Sequence, residues 1–322
     1  MHRPLPILLY RRIVAAPDPL TPGALEVRHF ERHLAWLQRW CRILPLHEAA
    51  RRLRAHALPP RSVCLTFENV CAAHATLVLP LLQRHGVTAT FFVASGALDG
   101  QAGWRDTVIE LVRSAAGPRL CLARAGFGNF DVGCLQRRRA LIELLLAALS
   151  SLPALERMRR MAHMAHSGGP AALHSDQLLA LHRAGMGIGA CTVNEHPLAR
   201  LSNAEARAEI ANGRSQLEQI VQAPVTLFSY PNGSPGADFE RRHANMLRCA
   251  GFEAAVTTAT AAARHDSDPY ALPRCTPKDS SGAPFVLALA HQIMRGQQRG
   301  ARWQTDTAAL ERAQHQGTGR GV

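Results

Sequence analysis

The fold is decided by residues 58–93, which read LPPRSVCLTFENVCAAHATLVLPLLQRHGVTATFFV. This stretch holds a short apolar run at Val63–Phe67, a helical pattern at Ala75–Arg84 and a second apolar run at Ala89–Val93. Gly86 stands where the helical pattern ends, a position that favours a left-handed residue. A strand, a helix and a strand in this order predict two parallel strands joined by a crossover helix.

The same alternation continues on both sides of this unit. We predict further strands at Ile7–Tyr10, Gly187–Val193, Val225–Ser229 and Glu253–Thr257, and further helices at Val27–Trp40, Ser175–Ala184, Asn203–Val221 and Asp238–Ala250. Ser202 and Glu205 have the spacing of a helix N-terminal capping box, and Gly185 and Gly251 each follow a helix as Gly86 does. The pattern predicts an α/β fold with parallel strands, as either a barrel or an open doubly wound sheet.

Two segments depart from this rhythm. Residues 105–170 carry consecutive helical patterns, which we interpret as a helical insertion within one domain spanning residues 1–290. Residues 291–322 are rich in Gln, Gly, Arg and Thr and are predicted to be a disordered tail.

Composition excludes several classes of protein. The chain has 322 residues, of which 47% are hydrophobic, enough for one large core. No apolar run reaches the ~18–20 residues that a membrane-spanning helix needs, and the N-terminal apolar segment is too short for a secretory signal. We therefore expect no membrane span and a cytoplasmic location. Collagens, coiled coils and small disulfide scaffolds are also excluded.

The chain is basic, with 37 Lys and Arg against 24 Asp and Glu and a net charge of +13. Such a charge indicates either an anionic partner, nucleic acid or acidic glycan, or arginines scattered over the surface. We favour scattered arginines and expect no nucleic-acid partner, because no recognition-helix or zinc-finger pattern accompanies them. The eight cysteines are irregularly spaced without a Cys-x-x-Cys pair, so we expect free, mostly buried thiols.

Polar residues follow three of the predicted strands. They are Glu68 and Asn69 after the second strand, Cys191, Glu195 and His196 after the fourth, and Tyr230, Pro231 and Asn232 after the fifth. Because the carboxyl ends of parallel strands meet at one edge, where active sites form, we expect these residues to lie close together. A carboxylate, an amide, a thiol and an imidazole together suit a metal site with a base.

Several phrases in order resemble a known family over roughly residues 5–280. They are LLYRRI at 8–13, LPPRSVCLTFEN at 58–69, LPLLQRHGVTATFFVASGALDG at 79–100, LHRAGMGIGACTVNEHPLARLS at 181–202, LFSYPNGSPG at 227–236, GFEAAVTT at 251–258 and DPYALPR at 268–274. The sequence resembles the polysaccharide deacetylases, the NodB-homology group of carbohydrate esterase family 4, in the branch associated with bacterial exopolysaccharide biosynthesis. The resemblance implies a single distorted (β/α) barrel. It also implies zinc-type, metal-dependent hydrolysis of acetyl groups, a carbon–nitrogen bond in N-acetyl sugars, on a bacterial polysaccharide or oligosaccharide.

The resemblance also assigns roles, and several positions depart from the family pattern. Glu68 stands at the position of the catalytic base, and Asn69 stands where the metal-binding Asp is expected. An ungapped alignment puts Cys191 and Glu195 at the two metal-binding His positions, whereas one inserted residue would keep His196. Tyr230, Pro231, Asn232 and Arg274 are assigned to substrate binding.

These substitutions lead to one prediction and two alternatives. We predict a member of the hydrolase family whose activity is reduced or lost, because ligand and base positions are altered while the scaffold phrases are kept. One alternative is a non-catalytic protein that binds a glycan or a partner through the old groove. The other is a hydrolase with a re-specified metal site.

Overall fold

The computed structural model describes residues 3–99, 103–164, 172–277 and 284–293. In these residues a parallel barrel is formed by seven strands that neighbour one another in chain order. The strands are β1 (Ile7–Tyr10), β2 (Ser62–Phe67), β3 (Thr90–Val93), β4 (Gly187–Ala190), β5 (Leu227–Ser229), β6 (Ala254–Thr260) and β7 (Leu272–Arg274). The ring is nearly closed, because Leu9 N–H donates to Cys275 O and Cys275 N–H donates to Ile7 O, both at 2.8 Å. The predicted α/β barrel is confirmed, and the open sheet is excluded.

Helices surround the barrel. They are α1 (Val27–Trp40), α2 (Leu46–Arg54), α3 (Leu79–Arg84), α4 (Trp104–Arg113), α5 (Leu135–Ser151), α6 (Ala154–Ala162), α7 (Ser175–Arg183), α8 (Asn203–Val221) and α9 (Arg241–Cys249), with a further helix over 284–293. A π-helical turn at His74–Val78 leads into α3. Short strands pair Ile13–Val14 with Leu25–Glu26, Arg42–Ile43 with β2, and Arg119–Cys121 with Asn129–Asp131.

Local signals in the sequence set the helix ends. Ser202 Oγ accepts from Glu205 N–H, and Glu205 Oε2 accepts from Ser202 N–H at 2.8 Å, so the predicted capping box at the start of α8 is confirmed. Gly86, Gly185 and Gly251 have φ values of +61°, +81° and +82°, which confirms the left-handed positions predicted after three helices.

Strand β4 is shorter than predicted. It ends at Ala190 instead of Val193, because the chain beyond it lies directly on α8. Gly213 of that helix permits the contact, since a Cβ there would be 3.2 Å from Cys191 O. Residues 104–164 do hold three helices, but the insertion also contains the hairpin Arg119–Cys121 and Asn129–Asp131, which the helical reading did not predict.

The barrel interior and the outer layer follow from the strand alternation. Inward residues such as Ile7, Cys64, Phe92, Leu227 and Leu272 form one apolar cluster. The apolar face of α2 joins this cluster at the end where the strands begin, so this helix closes the bottom of the barrel. Outward residues of the strands pack under the surrounding helices in a second cluster. The insertion has a third cluster of its own, built on α4 and α5.

The predictions about the cysteines, membrane spans and the C-terminal tail have different outcomes. All eight cysteines are free thiols as predicted, but Cys121, Cys134 and Cys249 are exposed. Among the described residues no helix has the length and apolarity needed to cross a bilayer. Most of the predicted tail, residues 294–322, lies outside the described residues, and 291–293 end the last helix.

Candidate active site at the barrel mouth

The upper ends of four strands point polar residues into the barrel. Alternation along the strands places Glu68 above Cys64, Cys191 after Gly189, Ser229 above Leu227 and Arg274 above Leu272. We call Glu68, Cys191, Ser229 and Arg274 the polar layer. It lies on top of the apolar interior, at the carboxyl ends of the strands, where barrel enzymes place their chemistry.

Glu68 is held firmly within this layer. Its Oε1 accepts short hydrogen bonds from Ser229 Oγ and Arg274 Nη2, and its Oε2 lies 3.8 Å from Arg11 Nε. Burial raises the pKa of Glu68, but the charges of Arg274 and Arg11 and the two hydrogen bonds outweigh it and hold the pKa below its usual range. Glu68 is therefore a carboxylate at neutral pH.

Arg274 is the cation of the polar layer. Its side chain is fully buried, its Nε donates to Thr257 O at 2.6 Å, and its Nη1 has no hydrogen-bond partner among the described residues. Burial lowers the pKa of Arg274, and the Glu68 carboxylate opposes that effect. The sequence suggested a substrate-binding role for Arg274, whereas the structure places its guanidinium beneath the surface, bound to Glu68.

A cavity of about 260 Å³ lies at the mouth of the barrel. We call it the mouth cavity. Its charged and amide-bearing lining residues are Arg11, Arg12, Asn69, Arg105, Asp106 and Glu195. Asn69 and Glu195 have left-handed backbones, both with φ +52°, which is costly for a residue other than glycine and is typical of functional sites.

The insertion forms one wall of the mouth cavity. Trp104 lies between two guanidinium groups, with Arg105 Cζ 4.4 Å and Arg157 Cζ 5.1 Å from its ring centroid. Burial raises the pKa of Glu195, as do the Asp106 and Glu68 carboxylates, and the nearby Arg105 and Arg157 only partly offset this. The carboxylate of Glu195 is thus poorly stabilised where it lies.

Three of the residues predicted to hold a metal, Cys191, His196 and Asn69, differ in their burial and in the groups beside them. Cys191 is next to the polar layer carboxylate, and burial, followed by the Glu195 and Glu68 charges, raises the pKa of its thiol well above the usual range. His196 is turned toward α8, with Nδ1 3.9 Å from Glu209 Oε1, and burial lowers its pKa to about 4. Asn69 is exposed and offers only a neutral amide oxygen.

As folded, these side chains do not fit a divalent cation. Zinc is held by thiolates, neutral imidazoles and carboxylates that converge on one point. Here Asn69 offers only a neutral amide, the His196 imidazole is turned toward α8 and the Glu68 carboxylate is already paired with Arg274, which leaves Cys191 and Glu195 as donors. Within the described part of the chain, no three His, Cys, Asp or Glu side chains form a group able to hold a metal ion. The ligand set Asn69, Cys191, Glu195 or His196 stays a prediction.

The predicted substrate-binding residues divide in a similar way. The Tyr230 ring packs in the core on Phe239 with centroids 3.7 Å apart, and its hydroxyl donates to Tyr270 O at 2.9 Å. Pro231 is also buried. Asn232 is exposed, and its Oδ1 accepts from Arg105 Nη2 at 2.8 Å. Only Asn232 of this trio therefore has its side chain beside residues that line the mouth cavity.

Three residues of the site were not predicted to belong to it. Ser229 is the last residue of a predicted strand, and strand alternation could have placed it inward beside Glu68. Arg11 directly follows the first strand, within the phrase LLYRRI. Arg105 belongs to the insertion, and no sequence signal shows where an insertion packs on a barrel.

Comparison with known proteins bears on the family and the fold. The sequence model of the polysaccharide deacetylase family matches residues 55–128 and 149–255. The comparison with curated proteins gave no match. Among solved structures, the Streptococcus pyogenes deacetylase PplD in complex with acetate is similar, with a TM-score of 0.61 and 17% identity over 89% of this chain and 98% of that one.

Two further solved structures have the same fold. IcaB from Ammonifex degensii has a TM-score of 0.56 and 16% identity, covering 89% of this chain and 97% of its own. The BpsB deacetylase domain from Bordetella bronchiseptica has a TM-score of 0.52 and 14% identity, covering 84% of this chain and 95% of that one. At these identities the likeness shows the barrel fold.

Proposed function

The chain belongs to the polysaccharide deacetylase family, and on that basis we propose that it binds a bacterial glycan at the mouth cavity without hydrolysing its acetyl groups. The family acts on acetylated polysaccharides and is generally metal-dependent. One observation supports the proposal: among the positions expected to hold the metal, Asn69 presents an exposed neutral amide and His196 an imidazole turned toward α8, and no three His, Cys, Asp or Glu side chains of the described residues form a group able to hold a metal ion.

The polar layer lacks what acetyl hydrolysis requires. Hydrolysis of an amide at neutral pH needs an activated water and a positive group that stabilises the developing oxyanion. Arg274 is a cation, but it is fully buried under Glu68 and its charge is already paired. Glu68 has a lowered pKa and is therefore a weaker proton acceptor than a base with a pKa near the working pH.

The mouth cavity retains the features of a sugar site. Its volume of about 260 Å³ is below the ~300–1,000 Å³ of sites that take drug-sized ligands, so we expect it to hold a single sugar residue. Asn69, Glu195 and Arg105 offer amide, carboxylate and guanidinium groups that can bind hydroxyl and acetamido groups. The alternative in which the chain is a hydrolase with a re-specified metal would use the same cavity.

Three measurements on the full-length protein test the proposal. They are bound metal after purification without a chelating tag, acetate release from N-acetylated oligosaccharides, and binding of the same oligosaccharides by calorimetry. We expect no stoichiometric metal, no acetate and measurable binding. Stoichiometric zinc together with acetate release would overturn the proposal, and so would failure to bind any glycan.

A restored variant tests the assignment of the ligand positions. Asn69→Asp, Cys191→His and Glu195→His together replace the altered donors with the family's types. We expect this variant to bind zinc, whereas a matched triple substitution at exposed positions on separate elements, Asn245→Asp, Cys121→His and Glu253→His, should not. If both variants or neither of them bound zinc, Asn69, Cys191 and Glu195 would not be the positions of the family's metal ligands.

A further inference from the structure

The charges around the mouth cavity do not cancel. Arg12 Nη1 lies 3.1 Å from Asp106 Oδ1, so these two lining residues neutralise each other. The Glu68 carboxylate is neutralised from below by Arg274. Arg11 and Arg105 then remain on the positive side, against Glu195 alone on the negative side.

Arg11 lines the cavity and forms one long ion pair with Glu68. Its Nε lies 3.8 Å from Glu68 Oε2, which is too long for an N–H···O hydrogen bond. Its side chain is 44% exposed. Its backbone is nevertheless fixed, because Arg11 O accepts from Nε2 of the buried His74 at 3.0 Å. The backbone of Arg11 is therefore anchored, and its partly exposed side chain lines the cavity.

Arg105 is held in place, and the carboxylate that acts most strongly on it, Glu195, is shared with Arg157. Its Nη2 donates to the neutral Asn232 side chain, and its plane lies against Trp104. Burial is the largest influence on this guanidinium and lowers its pKa, which shows a cation partly stripped of water. Arg105 also lines the mouth cavity.

Resting on the proposed function, we propose that the glycan is acidic and that its carboxylate binds between Arg11 and Arg105. A guanidinium fork matches a carboxylate in shape and charge, and two of them from separate elements can bind both oxygens. Glu195, across the same cavity, would accept hydrogen bonds from hydroxyl groups of that sugar and disfavour a second anion. Arginines expected to be merely scattered thus converge at one place.

The test compares trisaccharides that differ in charge. Calorimetry at low salt would measure binding of trigalacturonate, tri-N-acetylglucosamine and triglucosamine to the full-length protein. We expect the acidic trisaccharide to bind at least about tenfold more tightly than the neutral one, a difference of ~1.4 kcal/mol, and the cationic one to bind most weakly. Added salt should weaken only the acidic interaction.

Matched single variants distinguish binding of the carboxylate between Arg11 and Arg105 from a general attraction of the anionic sugar to the positively charged protein. Arg11→Gln and Arg105→Gln should each weaken trigalacturonate binding about tenfold and leave the neutral trisaccharide within a factor of about two. Arg183→Gln is the control, because this exposed residue at the end of α7 lies away from the mouth and its loss changes the net charge equally. Arg11 is exposed, so its replacement tests the site even where Arg105→Gln impairs folding.

Each contrary result has one meaning. Equal or weaker binding of the acidic trisaccharide overturns this inference and leaves the proposed function intact, whereas failure of every trisaccharide to bind overturns both. Equal weakening by Arg11→Gln and Arg183→Gln would assign the effect to net charge and overturn the site. A hexose phosphate that binds more tightly than galacturonate would overturn the assignment to a carboxylate.

Discussion

At the scale of single residues, the contribution of the Glu68–Arg274 ion pair to stability can be measured. A buried carboxylate that loses its closest partner is strongly destabilised, because the remaining cation, Arg11, lies 3.8 Å away and is partly exposed to water. We predict that Arg274→Met lowers the free energy of unfolding by about 3–5 kcal/mol, measured by urea denaturation.

The double variant Arg274→Met with Glu68→Leu supplies the control. It replaces both charges with apolar groups of similar size, which is often neutral for stability. We expect it to recover most of the lost stability. A double variant no more stable than Arg274→Met would mean that packing of the long Arg274 side chain, and not the ion pair, stabilises the barrel.

A glycine inside the barrel gives a second prediction at the residue scale. A Cβ on Gly189 would lie 2.5 Å from two ring carbons of the buried Phe92. Gly189→Ala should therefore cost about 1–3 kcal/mol in urea denaturation, because the crowded ring cannot move freely. Adding Phe92→Leu should recover part of the loss. Gly117→Ala should have little effect, since nothing lies within 4 Å of the added methyl group.

At the scale of elements, α8 begins with a capping box that can be measured. Ser202→Ala removes the side chain that accepts from Glu205 N–H and should lower the free energy of unfolding by about 1 kcal/mol. Ser215→Ala, on the exposed face of the same helix, should be neutral or slightly stabilising, because alanine has the higher helix propensity. Equal losses from both would show that the box does not fix the start of α8.

Helix α4 is fastened to the loop after β1 by a carboxylate that gives a dependence on pH. Arg113 Nη2 lies 2.7 Å from Asp18 Oδ2, and this hydrogen bond holds the pKa of Asp18 far below its ordinary value of 3.8. A lowered pKa means that the stabilisation is present above pH 3.8 and is lost as the pH falls below it. We predict that Asp18→Asn destabilises the protein at neutral pH and that its difference from the wild type shrinks in acid. A difference that stays constant with pH would contradict this account.

At the scale of the whole molecule, the insertion and the barrel have separate cores. The insertion packs around Val108 and Leu145, whereas α2 and the barrel interior pack around Phe92. Regions with separate cores often open independently. We predict that hydrogen exchange shows the amides of α4 and α5 opening at a lower free energy than those of β2 and β3. Trp104→Ala should lower protection in the insertion only, and a uniform loss across the barrel would contradict two cooperative units.

Sequence periodicity predicted the barrel well because its signals are local. Alternating apolar strands, glycines after helices and the capping box of Ser202 each act within a few residues, so the bounds of β1, α1 and α8 agree with prediction. The closing strand β7 was not predicted, since its three residues are too few for a periodic signal. The end of β4 was missed because it depends on contact with Gly213, which is distant in sequence.

The candidate site was predictable only in part, because some of its side-chain positions depend on packing against residues distant in sequence. Strand ends located Glu68 and Cys191 and placed Asn69 and Glu195 near each other, because parallel strands share a direction. Which way His196 turns, and whether Tyr230 faces the core, depend on packing by α8 and Phe239 that no local pattern encodes. The contribution of Arg105 depends on how the insertion docks.

The helix beneath the barrel has a practical consequence for chemical labelling. Because α2 closes the lower end of the barrel and Cys191 is partly exposed, we expect a thiol reagent to approach Cys191 from the mouth side. Alkylation of Cys191 should therefore slow when a sugar binds, while the exposed Cys121 and Cys249 react at an unchanged rate. Mass spectrometry of a single protein sample thus measures occupancy of the cavity by the sugar through Cys191, with Cys121 and Cys249 as the internal reference.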